Sequence, residues 1–170
     1  MTLRIGIVGH RRLGCTTASF VSFESRRVLR QILVNTSDVV AVSAIAEGAD
    51  TLFAEAARSF GVPLELVRPF DSYDSDFVDA GAWRRYDRLR THAQNEVRLN
   101  YRSRSLQAYE AAMTWVVMTS DLLLAAWDGR LANSPGGTGE AVERAVRFNR
   151  PWIHLNTSDL STTRYLPRSK

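Results

Sequence analysis

LRIGIVGHRRLG, residues 3–14, governs how the rest of the chain is read. Its first seven residues form a short apolar run that ends in Gly9 and breaks into a loop with two adjacent arginines. The run's length and its β-branched isoleucines and valine mark a buried strand. The period then changes. Across residues 17–34, Phe20, Val21, Phe23, Val28, Leu29, Ile32 and Leu33 recur at helical spacing.

The same change of period repeats along the chain. VVAVSAIA (39–46) reads as a second strand, and the helix in TLFAEAARSF stops at Gly61, the usual residue of a left-handed cap. VPLELVRPF (62–70) is a third strand, ended by Pro69. The polar, turn-rich DSYDSDFVDAG (71–81) reads as a surface loop, followed by helical stretches over 82–98 and 103–118. DLLLAAWD (121–128) is a fourth strand, GRLANSPGGTG a long loop, EAVERAVRFN a helix and PWIHL (151–155) a fifth strand. Near-continuous apolar strands alternating with helices predict an α/β fold. The expectation is a Rossmann-like three-layer domain over residues 1–155, with a mainly parallel sheet of about five strands. A polar tail, 156–170, follows and is expected to fray in part.

Composition fits this reading. The 170 residues are 45% hydrophobic and 24% charged, which suits one globular domain. No apolar run approaches the roughly 20 residues that span a bilayer. MTLRIGIVGHRRLG reads as a strand and not as a signal peptide, so the expected location is the cytoplasm, with no membrane partner. Cys15 is the only cysteine, and His10, His92 and His154 lie far apart, so neither a metal nor a resident cofactor is expected.

Among the 22 basic residues only Lys170 is lysine, an excess of arginine that a GC-rich coding bias explains. Seven arginines fall within residues 84–104. A solvated helical face is their commonest cause. Contact with a ligand phosphate or a neighbouring subunit is a second reading. Nucleic acid, kept open by the interleaved Trp83, Tyr86 and Tyr101, is unlikely as a partner. Trp115, Trp127 and Trp152 read as core, and Trp83 as the tryptophan of a pocket or interface.

In such a fold, ligands bind outside the carboxyl ends of the strands. Here those ends read GHRRLG, AEGAD, RPFDSYDSD and WDGR, with PGGTGE close by. Gly136, Gly137 and Gly139 let the backbone approach a ligand closely, Thr138 offers a hydroxyl, and the helix that follows directs its positive end at an anion. The order of residues is neither a Walker loop nor G-x-G-x-x-G. Glu140 and Glu143 lie one helical turn apart, suited to dipole complementation or to chemistry on a bound sugar. Gly9 closes the first strand, and His10 and Arg11 can meet phosphate. Gly48 makes a second glycine turn, Asp50 can cap the following helix, and Glu47 can meet ribose hydroxyls.

These motifs resemble the SLOG superfamily, which joins the DprA-type DNA-processing proteins and the LOG lysine-decarboxylase-like proteins. The resemblance covers about residues 3–155. SAIAEGAD matches the DprA-like S-x-x-A-x-G-x-D through Ser43, Ala46, Gly48 and Asp50. PGGTGEAVE matches the LOG pattern P-G-G-x-G-T-x-x-E through Pro135, Gly136, Gly137, Gly139 and Glu143, with Glu140 in place of the threonine. The resemblance implies a nucleotide, or a nucleotide-derived phosphate ligand, bound at the sheet's carboxyl edge, in some members as a sensor. It also implies homo-oligomerisation, for which the 82–118 helices are the candidate surface. The alternative it carries is a nucleoside 5′-monophosphate phosphoribohydrolase with Glu143, assisted by Glu140, as the carboxylate. LOG enzymes also use an arginine on a preceding helix. Their motif for it is not found here, and Arg102 or Arg104 corresponds by position alone.

Overall fold

The structure is a computed structural model that describes residues 1–130 and 137–167. β1 (Leu3–Gly9), α1 (Cys15–Leu33), β2 (Val39–Ser43), α2 (Ala49–Ser59) and β3 (Leu64–Arg68) follow the expected alternation. After a short 3-10 turn, Tyr73–Asp76, come α3 (Ala80–Arg90), β4 (Asn95–Arg98), α4 (Leu106–Thr119) and β5 (Leu122–Trp127). α5 (Thr138–Arg147), β6 (Trp152–Asn156) and β7 (Thr162–Tyr165) complete it. The strands form one sheet in the order β4-β3-β2-β1-β5-β6-β7, and only β7 is antiparallel to its neighbour.

The period of two along each strand divides the core. Ile5, Ile7, Ala41, Leu66, Leu124 and Ile153 pack with α1, α2 and α3 on one face. Val8, Val42, Val67, Leu123, Ala125 and Trp152 pack with α4 and α5 on the other. Each inner strand is covered on both sides, which is why it reads as a nearly unbroken apolar run. No helix among the described residues is long and apolar enough to cross a membrane.

The sheet has seven strands where about five were expected. Both additions are at its edges. Residues 95–98 lie in the stretch expected to continue a helix to 98, but the helix ends at Arg90 and NEVR pairs with β3. Residues 162–165 lie in the expected tail and pair with β6. Edge strands are partly solvated, so NEVR and TTRY lack the apolar run that identifies an inner strand. β7 is tied to the first helix: Thr162 Oγ1 donates to Glu24 Oε2 at 2.7 Å, and Glu24 also holds Arg27. Trp115, expected in the core, is 38% exposed on α4.

One buried charge is fully partnered. Glu65 on β3 accepts from Arg4 Nη2 at 2.5 Å and Asn95 Nδ2 at 2.8 Å, which joins three strands near the sheet's amino edge. The strand order reverses about β1, which has β2 on one side and β5 on the other. That switch opens a crevice at the carboxyl ends of the strands, between the connections that leave β1 and β5.

Candidate functional site

A cleft of about 340 Å³ occupies this crevice. Its polar lining comes from Arg11, Asp50, Tyr73, Arg104, Tyr109 and Thr138, with Gly9 and Gly137 giving it backbone walls. Leu106, Met113 and Val116 supply an apolar side.

The floor is built by the S-x-x-A-x-G-x-D stretch. Ser43 at the end of β2 accepts from Ile45 N–H at 2.8 Å and donates to Asp50 Oδ2 at 3.2 Å. The backbone at Ala44 and Ala46 also favours the ionised Asp50 carboxylate. Thr51 Oγ1 donates to the Ala46 carbonyl at 2.7 Å. These bonds hold Ile45, fully buried and β-branched, at a φ of 53°, a left-handed conformation unusual for its type. Asp50 therefore stitches the β2–α2 loop instead of capping α2, whose N-cap is Gly48 with no side-chain bond. The spacing set by Ser43 and Asp50 has a structural reason in this loop.

Burial raises the Asp50 pKa to about 7, against the lowering influence of Arg11, Ser43 and the backbone at Ala44 and Ala46. Between about pH 4 and pH 7 the folded protein keeps a proton that the unfolded chain has released. Stability from this group is therefore greatest at the acid end and declines as pH rises to about 7, by at most about 1.4 kcal/mol per pH unit. Asp50→Asn should flatten that decline in urea-unfolding midpoints measured from pH 4.5 to 7.5. An unchanged slope in the variant would assign it to other groups.

Asp76 organises the rim. It closes the 3-10 turn, and its side chain is only 4% exposed. Arg11 Nη1 donates to Asp76 Oδ2 at 3.1 Å, Tyr109 OH donates to the same oxygen at 2.6 Å, and Arg104 Nε lies 3.6 Å from Oδ1. The Arg11 guanidinium also sits 4.7 Å from the centre of the Tyr109 ring, with Arg104 at 5.9 Å. Burial opposes the Arg11 charge, but Tyr73, Asp76 and Tyr109 outweigh it and hold the pKa above its ordinary value. One carboxylate thus gathers two arginines and a phenol at the mouth of the cleft.

The 71–81 stretch differs from the expected surface loop. Tyr73 and Phe77 are buried, in edge contact with each other and with Tyr86 stacked on Phe77 at 4.1 Å. This aromatic cluster fixes the turn that presents Asp76. The pair Tyr73 and Phe77, four residues apart inside a polar stretch, was the available sign of burial. Nothing in the spacing of Asp76, Arg104 and Tyr109 links them, because the three meet only through the tertiary fold.

The cleft brings together Gly9, Arg11, Asp50, Gly137 and Thr138 of the residues singled out in the sequence. Glu47 and Gly48 line a separate shallow hollow beside Arg11 and Arg85. His10 does not line the cleft; its Nε2 lies 3.9 Å from Asp128 Oδ1, and its backbone N–H bonds the Ala126 carbonyl at 3.0 Å. Glu140 bonds Arg144 at 2.9 Å, and Arg144 reaches Glu110 of α4 at 2.6 Å. Gly139 and Glu143 line a third hollow with Trp127 and Val146. Pro135 and Gly136 lie outside the described residues. Gly137 is the N-cap of α5 and has no side chain to cap it, and the first turn of the helix turns its backbone N–H groups and the positive end of its dipole toward the cleft.

No family model matches this sequence, and no curated protein does. Solved structures do match in fold. DNA processing protein A (DprA) from Streptococcus pneumoniae has a TM-score of 0.66 at 17% identity over 90% of this chain and 50% of its own. DNA processing protein A from Helicobacter pylori, described for its single-stranded DNA binding mode, has a TM-score of 0.60 at 17% identity, covering 89% of this chain and 64% of its own. The molybdenum cofactor carrier protein of Chlamydomonas reinhardtii has a TM-score of 0.54 at 12% identity, covering 91% of this chain and 76% of its own. The chain spans about half to two thirds of the length of the DprA proteins it matches.

Proposed function

On the SLOG fold that the chain shares with these proteins, we propose that the cleft binds a nucleotide or nucleotide-derived phosphate ligand. The carrying observation is the cleft itself. A pocket of about 340 Å³ at the topological switch point combines the helix start at Gly137 and Thr138, the arginines Arg11 and Arg104, and a buried carboxyl group, Asp50. Phosphate would sit on the α5 N-terminus with Arg11 beside it, and the sugar would lie toward Asp50. Of the glycine-rich stretch, the cradle so described uses Gly137 and Thr138, while Gly139 faces the separate hollow. Two of the matched proteins are named for a cofactor and for single-stranded DNA, which is consistent with a phosphate-bearing ligand.

A phosphoribohydrolase activity has less support in this geometry, since Glu143 is exposed and lines a hollow separate from the cleft. Thermal-shift screening against inorganic phosphate, nucleoside mono-, di- and triphosphates and ADP-ribose tests the binding reading. A ligand at 100 times its dissociation constant adds about 2.7 kcal/mol of stability, a shift of several degrees. Gly137→Asp, at a residue with φ of −81°, introduces a negative charge without backbone strain and should abolish the shift. An absence of any shift, or an equal shift in the variant, would count against the site. Chromatography for free base after incubation with nucleoside monophosphates tests hydrolysis.

A further inference from the structure

Tyr73 lines the cleft with only 1% of its surface exposed, and its hydroxyl makes no hydrogen bond among the described residues. Such a group is uncommon, because a hydroxyl that leaves water on folding needs a replacement partner. The ring is locked in place. Phe70 and Phe77 meet it edge-on at 5.4 Å between ring centres, and Tyr86 does so at 5.6 Å. Its backbone is held as well, since Tyr73 N–H donates to the Phe70 carbonyl at 3.2 Å. The cleft therefore contains a rigid, buried and unspent hydroxyl.

The surroundings of this hydroxyl select what it can bind. Its charged neighbours are Arg11, Asp50 and Asp76. Arg11 is already engaged by Asp76 at 3.1 Å. Asp50, 7% exposed, lines the same cleft. An anionic group brought to Tyr73 would meet two carboxyl groups and one guanidinium that is paired. Burial first, then Asp50 and Asp76, keep the phenol protonated far above its ordinary pKa, against the lowering influence of Arg11. It is thus both a donor and an acceptor. An uncharged group of the same kind, a ligand hydroxyl, fits it.

The fold indicates which hydroxyl. Asp50 lies in the first turn of α2, after β2, and Tyr73 follows β3, so both stand on the far side of β1 from the start of α5. A nucleotide with its phosphate on that helix start would present its sugar to these two side chains. Adjacent hydroxyls of a ribose suit a carboxyl and a phenol that line one cleft. We propose that Tyr73 is the residue by which the cleft distinguishes a ribonucleotide from its deoxy counterparts, its hydroxyl bonding one hydroxyl of the ribose while Asp50 takes the other. This rests on the reading that the cleft binds a nucleotide by its phosphate at α5.

Isothermal titration calorimetry of the full chain tests it, with the 5′-mono- and diphosphates of adenosine and guanosine, each beside its 2′-deoxy and 3′-deoxy form. In the wild type, removing the sugar hydroxyl that meets Tyr73 should weaken binding roughly tenfold. Tyr73→Phe keeps the ring and its aromatic contacts. It should weaken the ribonucleotide by a similar factor and bring the ratio of ribo to deoxy affinity at that hydroxyl to about one. A merely structural role would lower both affinities together and leave the ratio where it was. Equal affinity for ribo and deoxy forms in the wild type overturns the proposal, whether or not the variant folds. Selectivity retained in Tyr73→Phe also overturns it. Either result leaves the nucleotide reading intact. If none of the nucleotides binds, that reading fails and this proposal with it.

Discussion

Gly48→Ala should destabilise this protein by about 3–5 kcal/mol, lowering the melting temperature by roughly 10 °C or more. Gly48 has a φ of 90°, and a Cβ there would sit 2.4 Å from the carbonyl oxygens of both His10 and Arg11. Those atoms are backbone and cannot rotate away. His10 is also pinned: Ala49 N–H bonds its carbonyl at 3.1 Å, and its own N–H bonds the Ala126 carbonyl at 3.0 Å. A methyl group at residue 48 therefore pushes the β1–α1 loop off the start of α2. The strained conformation adds about 1–2 kcal/mol of its own for any residue with a side chain. The loss should extend to function, because the same loop carries Arg11. Differential scanning calorimetry of the variant checks the first part, and ligand-induced thermal shift the second. A melting temperature within 3 °C of wild type would mean that the loop yields far more easily than its hydrogen bonds indicate.

The second large effect concerns the rim. Arg11→Met should weaken the phosphate ligand identified by screening by roughly 10- to 100-fold, the loss that follows from removing about 1.5–3 kcal/mol of charged hydrogen bonding. Methionine keeps an unbranched stem of similar length without the charge. Asp76 retains Tyr109 at 2.6 Å and Arg104 at 3.6 Å, so the turn should hold. Asp76→Asn is the informative companion. In the free protein Asp76 competes with any incoming anion for Arg11. An amide in its place keeps an acceptor for Tyr109 and releases the guanidinium, so affinity should rise several-fold. Isothermal titration calorimetry on both variants separates the possibilities. If Asp76→Asn weakens binding as much as Arg11→Met does, Asp76 serves to position Arg11, and the competition does not operate. If neither variant changes affinity, phosphate binds away from the rim.

The inner sheet was legible in the sequence because its strands are covered on both faces. LRIGIVG, VVAVS, LELVR, LLLAAW and WIHLN are each mainly apolar, with Arg4, Glu65 and His154 the polar side chains inside them. The two edge strands were not, since a strand open to water on one side has no reason to be apolar throughout. The site divides along similar lines. Gly9, Arg11, Asp50, Gly137 and Thr138 sit at strand-to-helix junctions, where the fold rule places ligands, and all five line the cleft. Asp76 lies in the connection after β3, within a strand end the fold rule marks, but Arg104 and Tyr109 come from the loop and first turn that follow the edge strand β4. Their meeting depends on Tyr73 and Phe77 burying what reads as a polar loop. Asp50 shows the limit in the other direction. Its position was readable as important, but its task was not, because a helix cap and a loop stitch look identical in one dimension.

β7 has a consequence for how the chain is joined to anything else. β1 starts at the amino edge of the sheet, and the antiparallel β7 runs back to that edge, where Tyr165 pairs with Trp152. The polypeptide therefore enters and leaves this unit on the side opposite the cleft. A reporter, an affinity tag or a neighbouring module fused at either terminus would sit behind the sheet and leave the mouth framed by Arg11, Arg104 and Thr138 clear. Had the sheet ended with a parallel β6, a fusion after Asn156 would have emerged beside that mouth.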